Sequence, residues 1–389
     1  MHICVVAPDY PTKKTIDFVF VDQLCRALVL KGLTISVVAP QTLTKCLLRH
    51  VPVAKGKQRI TLGGGKYFTL IRPKYFSVGN AGGMLKHHNG KAYRKAVARG
   101  FKRVEGNVDV IYGHFWQSVS AAMPIAKAHN LPLVASSGEE FISKKRFGDS
   151  EMRIAALRDY VCGTIHVSSN NREECKATGL VKDDASSIVI PNAIDNKLFY
   201  PRDRQQCRAK LNIASDDFVV AFVGQFTPRK GTLRLDEALR QLNDSQVKAF
   251  FLGKGPDVPS YDNLLHCGTV MHDDVPTYLS AADVFVLPTT NEGCCNAIVE
   301  AMACGLPVIS SNLPFNFDIL DDTNSIMVDP MDVNQIAQAI AKLKNDPDLC
   351  NRLAQGALSK VEGLTLDRRA DRIVDFIQKQ IEQRNNFKG

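Results

Sequence analysis

Val284-Phe285-Val286-Leu287-Pro288-Thr289-Thr290-Asn291-Glu292-Gly293-Cys294-Cys295-Asn296-Ala297-Ile298-Val299-Glu300-Ala301-Met302-Ala303-Cys304-Gly305-Leu306-Pro307 is the stretch from which the fold is read. Its first four residues form an apolar, β-prone run that Pro288 ends. A loop with Gly293 follows, then a short apolar helix closed by Gly305, with Pro307 just beyond. That helix holds one carboxylate, Glu300, and burying it unpaired is costly, so a protein group or a ligand hydroxyl must donate to it. Glu292 stands just before the helix, where the backbone N–H groups of Cys294, Cys295 and Asn296 would face an anion or a sugar.

The same strand-loop-helix grammar occurs twice upstream of it. Phe218 to Val223 reads as a strand, Gly224 to Gly231 as a loop, the residues up to about Leu242 as a helix, and Val247 to Leu252 as the next strand. Near the amino terminus His2 to Ala7 is a strand; Val21, Leu24, Cys25 and Leu28 mark one helix face stopped at Gly32; and Ile35 to Ala39 is a second strand. Two βαβ starts predict two doubly wound parallel-sheet domains, with ligands at the carboxyl ends of the strands and the active site between them. We expect a first domain over 1–195, a second over 196–365, and a terminal helix over 366–389 that packs back towards the first.

The chain has 389 residues, 45% hydrophobic and 23% charged, which excludes a peptide hormone and extended disorder. Its 11 cysteines are scattered and never spaced Cys-x-x-Cys, so neither a disulfide framework nor a zinc site is indicated, and a reducing cytosol is expected. Met1 to Pro8 lacks a basic leader and a cleavage site, and no stretch approaches the ~20 apolar residues of a membrane span. The net charge of +9 is unevenly spread: residues 1–200 carry 29 basic against 15 acidic residues, and Gln23 to Val104 holds 17 basic residues and no acid. A negatively charged partner is expected at the first half.

Three further constellations carry chemistry. In Gly224-Gln225-Phe226-Thr227-Pro228-Arg229-Lys230-Gly231 two cations precede a helix start, an unfavourable placement beside the positive end of its dipole that a bound anion would resolve; a solvated basic turn is the alternative. The strand Asp109-Val110-Ile111-Tyr112-Gly113-His114 ends in a histidine at the sheet edge expected to face the cleft, where it is either structural or catalytic. Ser137-Gly138-Glu139-Glu140 ends the strand after it, and one of the two acids either binds acceptor hydroxyls or serves a helix start. Gly-x-Gly-x-x-Gly, Gly-x-Ser-x-Gly and a Walker A loop are all missing, and Asp346-Pro347-Asp348 reads as a helix cap.

Taken in order, these motifs resemble the retaining glycosyltransferases of family 4, which have the GT-B architecture of two Rossmann-like domains facing a cleft. The resemblance spans nearly the whole chain: Tyr10-Pro11 with Phe20-Val21, Asp109 to His114, Ile190 to Asp195, Arg229-Lys230-Gly231, Gly253 to Pro256, Ala282-Asp283-Val284, and the Glu-x7-Glu motif from Glu292 to Glu300. It is closest to transferases that build cell-surface polysaccharides. It implies a nucleoside-diphosphate-sugar donor bound mainly by the second domain, with Glu292 on the transferred sugar, Glu300 on the ribose, and Lys230, helped by Arg229, on the diphosphate. The backbone from Gly293 through Cys294 and Cys295 to Asn296 would also meet the sugar. His114 matches the family histidine at the reaction centre, and Glu139 and Glu140 fall on the acceptor side. The resemblance implies no metal and no cofactor. Two residues depart from the pattern: Gln225 stands where the family often has Arg, and Ser137 where many members have His.

A non-hydrolysing sugar-nucleotide epimerase and a non-catalytic nucleotide-sugar-binding subunit stay open as alternatives, whereas no nucleic-acid partner is expected, because no reading motif with interleaved aromatics is present. The basic first half further predicts peripheral association with the cytosolic face of a membrane bearing the acceptor. The segment Lys91 to Val104 is read as an interfacial helix presenting Tyr93, Val97, Phe101 and Val104 on its apolar side.

Overall fold

The computed structural model describes residues 1–12, 18–48, 50–77, 84–139 and 141–386, of 84–88 the backbone only. The chain divides into two compact units. The first comprises Met1–Val167, Asn171–Ile190 and Ala370–Gly389, and the second Ser168–Asn170 and Pro191–Arg369.

In the first unit the strands are β1 (His2–Val6), β2 (Thr34–Val38), β3 (Gln41–Thr42), β4 (Lys57–Thr61), β5 (Tyr67–Ile71), β6 (Lys74–Tyr75), β7 (Val110–His114), β8 (Leu133–Ser137), β9 (Gly163–His166) and β10 (Ser187–Val189). Eight of them form one sheet in the order β10-β9-β8-β7-β1-β2-β5-β4, while β3 and β6 pair separately. All pairs in the large sheet are parallel except β4 with β5, which are joined through a turn at Gly63–Gly65. Five consecutive buried residues in each of β1, β7 and β8 show a sheet covered on both faces, as parallel sheets require. The strand order reverses between β1 and β7, so the crevice for a ligand opens outside their carboxyl ends.

The helix Met84–Phe101 corrects one expectation. Tyr93, Ala96 and Val97 are buried in the core of the first unit, and Phe101 and Val104 pack against it. Tyr93 Oη donates to Ala7 O at 3.1 Å and meets Ser118 Oγ at 3.0 Å. The apolar stripe read as interfacial is therefore core: covering the sheet stabilises by about 1.5–3 kcal/mol for a side chain the size of Val97, more than a shallow place at a lipid interface offers. The charges of the same segment, Lys91, Arg94, Lys95, Arg99, Lys102 and Arg103, remain exposed.

The second unit holds β11 (Phe218–Val223), β12 (Val247–Leu252), β13 (Leu264–Gly268), β14 (Val284–Leu287), β15 (Val308–Ser311) and β16 (Ser325–Val328), all parallel in the order β13-β12-β11-β14-β15-β16. Here the order reverses between β11 and β14, the two strands that feed the loops singled out from the sequence. Asp283, at the amino end of β14, locks the two strands together by accepting from Val219 N at 2.7 Å, Arg208 Nη2 at 2.6 Å and Arg204 Nη1 at 2.8 Å. Asp346 caps the helix Pro347–Val361 through Leu349 N, as its spacing indicated.

Candidate active site

The second unit builds its site at this reversal. After β11 the chain makes a single 3-10 turn, Pro228–Lys230, which Thr227 caps, and enters the helix Thr232–Leu242 through Gly231 at φ 76°. A Cβ on Gly231 would lie 2.4 Å from Pro288 O, so glycine both adopts the left-handed conformation and lets the helix start approach the loop after β14. Gly253, in an ordinary backbone conformation, is required for close approach alone, since a Cβ there would stand 1.8 Å from Gly224 O. These two glycines set the depth of the crevice floor.

Across that contact the cations meet the first glutamate of the motif. Lys230 Nζ lies 2.5 Å and Arg229 Nη1 2.7 Å from Glu292 Oε1, and Thr289 Oγ1 donates to the same oxygen at 2.9 Å. Arg229 Nη1 also donates to Asn291 O at 2.8 Å, and Thr290 N donates to Arg229 O at 2.8 Å, so the two loops are stitched through backbone as well. Glu292 and Lys230 are nearly enclosed, with side chains 10% and 11% exposed. Burial pulls the Lys230 ammonium down, but Cys295 and Glu292 beside it more than offset this, so its pKa moves upward and it is charged at neutral pH. Among the described residues two cations thus meet one carboxylate at this crevice.

Cys295 Sγ lies 3.9 Å from Lys230 Nζ, and the helix Asn296–Ala303 begins directly after it. Burial pushes the Cys294 thiol up to about 12 and also raises Cys295, against the opposing pull of Lys230. Asn192 fixes this helix start by donating through Nδ2 to Cys294 O at 3.0 Å and Asn296 Oδ1 at 2.7 Å. Gln225 is exposed.

Glu300 lies on the open side of its helix, opposite the buried Ile298, Val299, Ala301 and Met302. The cation beside it is His272, whose Nε2 stands 3.7 Å from Glu300 Oε1, an ion-pair rather than a hydrogen-bond distance, and whose ring sets its edge on Phe199 at 5.4 Å between centroids. The Glu300 carboxylate raises the pKa of His272, aided by Asp273 and Asp195 and opposed by burial. Sequence reading missed His272, Asn192 and Thr289. Asn192 falls in the Ile190 to Asp195 segment, where the first domain is expected to end and whose sequence assigns no role to the amide, and Met271-His272-Asp273 sits in a polar turn without a periodic signal.

In the first unit, His114 ends β7 and is buried among aromatic rings, 5.1 Å from Phe20 and 4.6 Å from Phe115 between centroids. Phe115 follows at φ 67°, a strained turn for a non-glycine residue, held by its N–H donating to Ser136 O at 2.7 Å. Glu139 is buried and committed to the protein: its carboxylate accepts from Trp116 N at 2.7 Å, Ser137 Oγ at 3.1 Å and Gly138 N at 3.1 Å, with Arg146 at 3.5 Å. It serves the start of the helix Trp116–Ala128, the reading that competed with acceptor binding. Ser137 completes that cluster by accepting from Trp116 Nε1 at 3.2 Å. Glu140 lies outside the described residues. Arg72 anchors the Tyr10-Pro11 turn by donating to Tyr10 O at 3.1 Å and Pro11 O at 2.6 Å. Among the described residues no group of three or more His, Cys, Asp or Glu is placed to hold a metal ion.

Residues 203–360 match the family described as glycosyl transferases group 1. The chain is 25% identical over 355 residues to TuaC of Bacillus subtilis (strain 168), a teichuronic acid biosynthesis glycosyltransferase by its name, covering 89% of this chain and 90% of that one. It is 28% identical over 224 residues, 53% of this chain and 58% of the other, to an Escherichia coli UDP-Gal:alpha-D-GlcNAc-diphosphoundecaprenol alpha-1,3-galactosyltransferase. In fold it is similar to sucrose-phosphate synthase from Thermosynechococcus elongatus, with a TM-score of 0.74 at 20% identity over 98% of this chain and 99% of that one.

Proposed function

We propose, for a chain that is a GT-B glycosyltransferase with a group 1 glycosyl transferase domain over residues 203–360, that it moves a sugar from a nucleoside-diphosphate-sugar to a hydroxyl of a lipid-linked glycan, with retention of anomeric configuration. The observation that carries this reading is the paired-cation clamp on Glu292 at the strand-order reversal of the second unit. The relatives named for teichuronic acid and for a diphosphoundecaprenol-linked acceptor favour a cell-surface glycan made on a membrane-anchored carrier.

The roles follow from charge. As the sugar–phosphate bond breaks, negative charge grows on the departing diphosphate, and Lys230 with Arg229 stabilises it in a site shielded from water. The donors to Glu292 converge on Oε1, and the other carboxylate oxygen accepts hydroxyls of the transferred sugar. Glu300, oriented by His272, accepts the ribose hydroxyls. The segment Gly293 to Asn296 offers backbone groups to the sugar. By the family resemblance His114 acts at the reacting sugar. A departing phosphate oxygen takes the acceptor proton on the same face, which gives retention, and no step requires a metal ion.

The test is incubation of the full chain with a panel of nucleotide-sugars and a lipid-diphosphate-linked saccharide, followed by NMR of the new linkage. Transfer with an unchanged anomer is expected. Release of an epimerised sugar from a nucleotide-sugar with no acceptor would favour the epimerase reading instead.

A further inference from the structure

The burial of Tyr93 and Val97 removes the surface first expected to meet a membrane, and another stands in the same unit. Leu47 and Leu48, at the end of the helix Leu43–Leu48, are 81% and 73% exposed, and Phe76, directly after β6, is 73% exposed. The two segments are held together: β3 pairs with β6, Thr44 Oγ1 donates to Ser77 O at 2.6 Å, and Ser77 N donates back to Thr44 Oγ1 at 3.2 Å. Leu47 and Leu48 follow Thr44 by three and four positions, so they share the helix side that meets the Phe76-Ser77 segment. Single exposed apolar residues are ordinary, but three large ones brought together are not.

The basic helix borders this cluster. Arg99 Nη2 donates to Lys74 O at 2.7 Å, and Lys91, Lys95 and Arg99, four residues apart, run as one exposed row away from that point. Lys91, Arg94, Lys95 and Lys102 form no ion pair among the described residues. The nearby acids are engaged elsewhere, Asp9 by Lys45 at 2.8 Å and Glu105 by Lys57. A second copy docked through the same face would set these cations against their own kind, whereas an anionic bilayer satisfies both the apolar prongs and the charges.

We propose that Leu47, Leu48 and Phe76, flanked by Lys74, Lys91, Lys95 and Arg99, dock the first unit on an anionic lipid bilayer, with the apolar side chains at the acyl boundary and the cations at the lipid phosphates. The purpose of this surface rests on the proposed lipid-linked acceptor; its binding does not require that acceptor. Each cation near such a surface contributes roughly fivefold to partitioning, and a fully buried leucine roughly tenfold or more.

The test is co-sedimentation of the full chain with phosphatidylcholine vesicles, with and without phosphatidylglycerol. Wild type should sediment with the phosphatidylglycerol vesicles at low salt and be released at high salt. Leu47→Ser/Leu48→Ser/Phe76→Ser should lower partitioning by about tenfold or more, and Lys91→Glu/Lys95→Glu should abolish the preference for anionic lipid, both with wild-type melting temperatures because the residues are exposed. Wild type staying in the supernatant with phosphatidylglycerol vesicles, or both variants sedimenting as wild type does, overturns the proposal. Transfer to a short-chain soluble acceptor, read on the same preparations, reports on the proposed function separately. Vesicle binding without transfer leaves the surface standing and removes the acceptor reading, and transfer without vesicle binding does the reverse.

Discussion

Replacing Lys230 by Ala separates what this lysine does for the fold from what it does for the reaction. In the folded chain its ammonium lies 2.5 Å from a carboxylate that is 10% exposed, and stripping a buried carboxylate of its partner usually costs about 3–5 kcal/mol. Here Glu292 keeps Arg229 at 2.7 Å and Thr289 at 2.9 Å, so we expect a stability loss nearer that of one charged hydrogen bond, about 1.5–3 kcal/mol. The loss in turnover is set by a different quantity, the charge missing from the departing diphosphate, at about 2.7–4 kcal/mol or roughly 100- to 1000-fold in kcat. The assay is initial-rate transfer at a temperature well below the variant's melting transition, with chemical denaturation on the same sample. A variant that melts earlier yet turns over within a few fold of wild type would refute the electrostatic role and leave Lys230 as a structural partner of Glu292.

The two glutamates of the motif should part in their kinetics. Glu300→Gln should chiefly raise the KM for donor, because a ribose contact is alike in ground and transition states, whereas Glu292→Gln should chiefly lower kcat; equal loss of kcat in both contradicts these roles. His272 has its pKa raised by Glu300, so its contribution is complete below its unfolded value of about 6.5 and is lost as pH rises through the higher folded value; donor affinity should weaken over that rise, and His272→Gln should flatten the profile. Asp283→Ala should lower stability by about 3–5 kcal/mol in denaturant melts, because it strands the buried guanidinium of Arg208, with donor KM unchanged in the folded fraction.

Much of this was legible because the informative residues carry local signals. The run Phe218 to Val223, Gly231 and the cap at Asp346 announce strands, turns and helix starts through their own chemistry, and the Glu-x7-Glu spacing sits inside such a strand-loop-helix unit. What was not legible depends on contacts distant in sequence. β4, Lys-Gln-Arg-Ile-Thr, has little apolar character and exists because β5 offers an edge. His272 is tied to Glu300 across 28 positions of sequence, and Glu139 to Trp116 across 23, so neither pairing has a pattern to find. The helix Met84–Phe101 misled for a physical reason: an amphipathic stripe reads the same whether it covers a sheet or a lipid surface, and only the packing of Tyr93 and Val97 tells them apart.

The central claim is that the loops after β11 and β14 form the site for the diphosphate of a nucleotide-sugar. It is tested most directly by calorimetric titration of the full chain with UDP, GDP and ADP, run in parallel on Lys230→Ala. The account predicts saturable binding of at least one nucleoside diphosphate to wild type, weakened about tenfold or more in the variant, as expected for loss of a charge-assisted contact. Equal affinity in wild type and variant, or no binding of any nucleoside diphosphate, would contradict it.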